Sequence, residues 1–216
     1  MRIRGFGVLV FAVLVVDAVL ALWLLGWQVR LHGLLSDGAA ADAVAGPEEW
    51  VGDLLVWVRG FYFPAVAFFL LWLRDVRDGT EKQLPGRREA GGRSWRMWWW
   101  IVPVANIWMG FRITADLWAA NTRRSGGIGA WLPVAVWWVL TLAGVTQLIG
   151  HAQEFTSHSP DDTLTADLLR NGIAATAWYL AALAATAVLV VRLTRAHASA
   201  GPLGEEPQAP GAAHSH

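Results

Sequence analysis

Cysteine is absent from all 216 residues, so no disulfide, thiolate nucleophile or thiolate-ligated metal is available to this chain. Lysine is nearly absent too, since Lys82 stands alone among the 17 basic residues and the rest are arginine. With abundant Ala, Gly and Val, that bias suggests a GC-rich bacterial genome. Chemical motifs are missing as well. No nucleophile stands at a defined spacing from a base, no glycine-rich phosphate loop follows a strand, and there is no H-E-x-x-H pair. No polar stretch is long enough to fold as a soluble catalytic domain. The sequence therefore offers no catalytic residue, no cofactor site and no metal site, and nothing in it points to nucleic acid.

What is present is apolar. Hydrophobic residues make up 55% of the chain and are gathered into long blocks rather than spread at globular spacing. Four blocks, 6–27, 54–73, 131–150 and 172–193, each reach about 30 Å as helix, the thickness of a hydrocarbon core. The first could pass for a signal peptide, with Arg2 and Arg4 before it and Ala43-Val44-Ala45 beyond it. Its apolar run is longer than a signal core of roughly 7–15 residues, which favours a retained anchor.

The formal net charge is zero, but the charges are segregated. Segment 28–53 holds one Arg against Asp37, Asp42, Glu48, Glu49 and Asp53, and segment 152–170 is similarly acidic. Segment 74–94 carries five arginines and Lys82, while Arg2, Arg4, Arg192 and Arg195 flank the ends. Positive loops stay cytoplasmic, so both termini are expected inside a bacterial cytoplasmic membrane, in a multi-pass arrangement. Residues 1–195 then form a single membrane domain, and the Ala-, Gly- and Pro-rich segment 196–216 is expected to be a disordered tail.

Between the second and third blocks, segment 95–121 packs tryptophans between arginine-rich flanks. Positive charge on both sides disfavours a crossing, and a fifth span would bury Arg112 and Asp116. Pro103 suits the first turn of a helix. From there Val104, Ile107, Trp108, Phe111, Ala115 and Trp118 recur at helical spacing, with Asn106, Gly110, Thr114 and Asn121 falling largely elsewhere. The expected fold is therefore all-α: four transmembrane helices plus a Trp-rich interfacial or re-entrant amphipathic helix, its apolar face toward lipid.

Few residues stand out as candidates. Asp17 lies mid-span, where a carboxylate costs about 2.5–3.5 kcal/mol, and an antiparallel second span would bring Arg59 to its depth. An ion pair fixing helix register is the expectation, with an ion pathway as the alternative. Arg112 and Asp116, four apart, could bridge locally or hold an anionic lipid headgroup steadied by Asn106. His151, Glu154 and His158 share helical spacing but match no strong zinc signature. Ala174, Ala177, Ala181 and Ala184 or Ala185 allow close backbone approach, inside the bundle or between copies.

Trp99, Pro103, Asn106, Phe111 and the triplet Asp116-Leu117-Trp118 form a pattern that resembles DUF4328, a family of small membrane proteins common in actinobacteria. Residues 72–77, WLRDVR, look like that family's basic end of the second span. Gly110 stands where the family usually has a second proline. The resemblance implies the membrane topology and carries no established activity. The sequence thus leads to a non-catalytic membrane or interaction protein whose partners are the lipid bilayer, anionic headgroups among them, and a further copy or another membrane protein. A transport component using Asp17 and Arg59 is the alternative, and an interfacial enzyme at Asn106, Arg112 and Asp116 the next.

Overall fold

A computed structural model describes residues 2–83, 103–122, 128–157 and 164–199, with side chains over 5–81, 110–121, 131–157 and 164–198. It contains helices α1 (Arg2–Ser36), α2 (Ala41–Gln83), α3 (Pro103–Thr122), α4 (Ile128–Thr156) and α5 (Ala166–Ser199), and no strand among the described residues. Four of these, all but α3, are long and apolar enough to cross a membrane. Helix is the form that satisfies every backbone polar group within one segment, as hydrocarbon requires.

The helices outrun the apolar blocks. The 43 residues of α2 extend to about 64 Å, twice a hydrocarbon core. Segments expected as loops are taken into helices, 28–36 and 41–53 on one side and 152–156 and 166–170 on the other, and α5 carries the chain four residues into the expected tail. The reason is that the buried stripe continues past the blocks. Leu31, Val44, Val51, Ala152, Phe155 and Leu169 stay buried while Asp37, Asp42, Glu49, Asp53, Glu154 and Asp167 are exposed.

That stripe alternates by three and four. On α1 it runs Gly7, Val10, Leu14, Asp17, Ala21, Leu24, Gln28, Leu31; on α5 it includes Leu169, Gly172, Thr176, Tyr179, Leu183, Val190 and Leu193. On α4 it includes Val134, Trp137, Gly144, Leu148, His151 and Phe155. A 3.5-residue period is that of knobs-into-holes packing in left-handed bundles. Helices α1 and α2 form one antiparallel pair, α4 and α5 another, and α1 packs along α5 to join them.

Turn chemistry closes the first hairpin. Gly38 adopts φ 69°, and the Gly38 and Ala39 amides donate to the Leu35 and Leu34 carbonyls at 3.2 and 3.0 Å. Those two bonds with a left-handed glycine are a Schellman stop. At the start of α5, the Thr165 hydroxyl accepts from the Leu168 amide at 3.3 Å as an N-cap. The hairpin turn marks one end of the bundle. At the other end α1 begins and α5 finishes, with the Gly7 position against the Thr194 side chain.

Of the α3 face expected toward lipid, the structure buries Trp118 and half-buries Phe111 and Ala115. The buried face of α3 is Gly110, Thr114, Leu117, Trp118 and Asn121, and the helix packs on α2, α4 and α5. Gly110 lies against the tip of the Trp138 indole, where a Cβ would come within 2.9 Å of the ring. Eleven residues on, Asn121 bonds Thr80 at 3.0 Å and His197 at 3.2 Å. On α5 the partner of Trp137 is Thr186, also eleven residues before His197, about 16 Å of helix. Helix α3 therefore runs alongside α5, toward the end that carries the termini. Small and polar residues face inward because they let α3 approach closely and bond its neighbours.

Candidate functional site

The polar groups on the buried stripes bond one another across helices. Mid-way along α1, the fully buried Asp17 accepts a hydrogen bond from the Tyr179 hydroxyl of α5 at 2.6 Å. Its second oxygen, Oδ1, is buried without a hydrogen-bond partner. Three turns further along α1, Gln28 is also fully buried; its Oε1 accepts from the Thr176 hydroxyl at 2.8 Å, and its Nε2 lies 3.1 Å from His151 Nε2 on α4. The Thr176, Gln28 and His151 side chains thus tie α5, α1 and α4 together near the turn end. Close by, His32 Nδ1 donates to the Ala166 carbonyl at 3.1 Å.

At the other end the bonds are of the same kind. Trp72 Nε1 donates to Thr194 at 3.2 Å, linking α2 and α5, and Trp137 Nε1 donates to Thr186 at 2.9 Å, linking α4 and α5. Asn121 donates to Thr80 and to its own Leu117 carbonyl, leaving its oxygen to accept from His197. Two glycines permit the closest approaches. At Gly144 a Cβ would meet the Trp178 carbonyl oxygen at 2.8 Å and Tyr179 Cα at 3.0 Å. At Gly172 it would overlap the His151 ring.

Asp17 and Arg59 do not form the expected ion pair. Trp27 stacks on Trp50, and nine residues from each, α1 reaches Ala18 and α2 reaches Arg59, so the depth estimate holds. Arg59 is nevertheless exposed on the flank of α2, while its neighbour Val58 faces the core. The carboxyl takes Tyr179 instead.

Other candidates divide in the same way. Trp118 is buried in the core beside Leu117, so it packs the bundle and does not face lipid. Arg112 and Asp116 are exposed on the far side of α3. Pro103 opens α3 as expected, and Asn106 lies within it, but their side chains, with Trp99 and His158, lie outside the described residues. His151 is buried against Gln28 and Phe155 while Glu154 is exposed, and the described residues contain no metal-ligating group of three. Ala174, Ala177, Ala181 and Ala184 face away from the bundle, whereas Ala185 is half-buried against the core. A cavity of about 450 Å³ beside Phe6, Leu71, Arg74, Asp75 and Asp78 opens at the end that carries the termini, where Arg74 and Asp78 stand 3.9 Å apart. It brings together no nucleophile and base.

Gln28, Thr176 and Tyr179 were not singled out by sequence. The usable signal was the 3.5-residue stripe, which places Gln28 on the same seam as Asp17.

The profile of a domain of unknown function, DUF4328, matches residues 39–199. The chain belongs to the DUF4328 family. The match takes in the WLRDVR and Trp99–Trp118 patterns and begins after α1, so Asp17 and Gln28 come from a helix preceding the DUF4328 region. No curated protein and no solved structure matches the chain.

Proposed function

We propose that this DUF4328 protein is a non-catalytic integral membrane protein that acts through association, with lipid and with other membrane proteins, in the bacterial cytoplasmic membrane. The observation that carries this reading is the engagement of buried polar groups with one another across helices, above all Gln28 held at both ends by Thr176 and His151. Polar residues at seam positions fix register and partner at some cost in stability. On this reading α3 is re-entrant. It descends along α5 to the face that carries the termini, where α2 also ends, so that the chain crosses four times. Both termini, with the basic segments around α3, are cytoplasmic, where exposed Arg112 meets anionic headgroups.

A second reading, transport, is favoured by one atom, the buried unpartnered Oδ1 of Asp17. Intramembrane carboxyls mark ion and proton paths. Proton and ion flux in liposomes containing the purified protein separates the two. The association reading expects flux equal to protein-free liposomes, unchanged in Asp17→Asn. Flux above that background that Asp17→Asn abolishes would replace it with transport.

A further inference from the structure

Three histidines are described, and they differ in what their rings meet. His32 donates from Nδ1 to the Ala166 carbonyl, and His197 donates from Nδ1 to the Asn121 oxygen. A ring that donates to oxygen keeps its bond when it gains a proton. His151 is placed differently. Its Nε2 faces the Gln28 amide, and its Nδ1 is buried with no partner.

A neutral imidazole carries one N–H and an imidazolium two. Whichever way the Gln28 amide is turned, it supplies the ring with one partner, on the Nε2 side. With Nε2 of Gln28 toward the ring, an added proton sets donor against donor. With Oε1 toward it, the ring's second N–H, on Nδ1, finds no acceptor. Leaving a charged donor unsatisfied in a buried site is costly, and ring and amide have little room to rearrange. The Gly172 backbone is closed against the His151 ring, and a Cβ there would also stand 3.0 Å from the Gln28 amide nitrogen.

The charges on the surrounding elements compensate only in part, through Glu154. On α4 the neighbouring Glu154 is exposed, and on α5 Asp167 and Arg170 are exposed and engage each other at 3.3 Å. On α1 Arg30 stacks over Trp27, and His32 is bonded as above. On α2, whose Gly52 position meets Phe155, Glu49 and Asp53 are exposed and Glu48 is half-buried.

We propose that His151, Gln28 and Thr176 form an acid-sensitive clamp, which holds the turn ends of α1, α4 and α5 together while the His151 ring is neutral and releases them when it is charged. The sign follows from proton counting. The opened form binds a proton at a solvated imidazole, which titrates near pH 6.5, and the closed form resists it, so falling pH favours opening. The face concerned is the one opposite the termini, so the clamp reports on acidity at that face.

The absence of native cysteine makes the test direct, since only introduced thiols take a spin label. Labels at exposed Val29 on α1 and Gln153 on α4 report the separation of the two helices at this end, in the full chain in lipid nanodiscs. The distribution should be narrow at pH 8, lengthen and broaden at pH 5, and recover on return to pH 8. His151→Gln cannot be charged and should hold one distribution at both pH values. Gln28→Glu gives the charged ring an acceptor and a counter-charge and should keep the ends closed at pH 5, whether or not His151→Gln folds. His32→Gln should respond as the wild type does. An unchanged wild-type distribution between pH 8 and pH 5 would overturn the proposal, as would acid opening that persists in His151→Gln or Gln28→Glu.

Discussion

Replacing Gly144 with alanine should cost about 2–3 kcal/mol, because the added carbon overpacks a site walled by backbone. The Trp178 carbonyl oxygen would lie 2.8 Å from it and the Tyr179 Cα 3.0 Å, and neither can turn aside as a side chain would. Helix α4 must therefore move away from α5, loosening Trp137 from Thr186 and His151 from Gln28 together. Alanine ordinarily stabilises a helix interior by about 1 kcal/mol relative to glycine, so the direction itself discriminates. Gly150 lies on the same helix with open space around it, and Gly150→Ala should be neutral or slightly stabilising. Thermal unfolding of the purified protein in one detergent measures both. A Gly144→Ala protein as stable as Gly150→Ala would mean that α4 and α5 do not approach as described.

The second large effect concerns Asp17. Tyr179→Phe removes the donor that holds Oδ2, leaving both carboxyl oxygens in the core without a partner. The expected loss is about 1–3 kcal/mol, more if the carboxyl remains ionised. Asp17→Leu alone strands the Tyr179 hydroxyl. Asp17→Leu with Tyr179→Phe removes both polar groups and should be milder than the sum of the single changes. Arg59→Gln should combine additively with Asp17→Leu, because the guanidinium is exposed on another face of α2. Additive losses for Asp17 and Tyr179, or coupling of Asp17 to Arg59, would reverse the assignment of partners.

The four long helices were legible because apolar blocks of that length have few alternatives. Their ends were not, since acidic residues are read as loop markers, yet a buried stripe that continues beneath them carries the helix through despite the weak helix propensity of Asp. Asp17 was conspicuous as a charge inside a span. Depth alone does not identify its partner: Arg59 matches in depth, yet Val58 takes the inward position. Gln28 fell beyond the apolar block and His151 was grouped with Glu154 and His158, so two buried seam residues looked like solvated ones. The alanine spacing on α5 was real, but an alanine gives no sign of which side it faces. Thr176 and Tyr179, which lie on the opposite stripe, did carry that sign. On α3 the apolar face was assigned to lipid and the small polar face to water. The bundle supplies polar partners at Thr80 and His197, so Thr114 and Asn121 turn inward together with Leu117 and Trp118.

The central claim, four crossings with α3 entering and leaving on the face of the termini, is tested most directly by labelling single cysteines introduced into this cysteine-free chain. A membrane-impermeant maleimide applied to sealed vesicles of known orientation should react with Gly86→Cys and Gly126→Cys from the cytoplasmic side only, and with Ala41→Cys and Ser157→Cys from the opposite side only. Labelling of Gly86→Cys and Gly126→Cys from opposite sides would make segment 84–127 a fifth crossing and contradict the account.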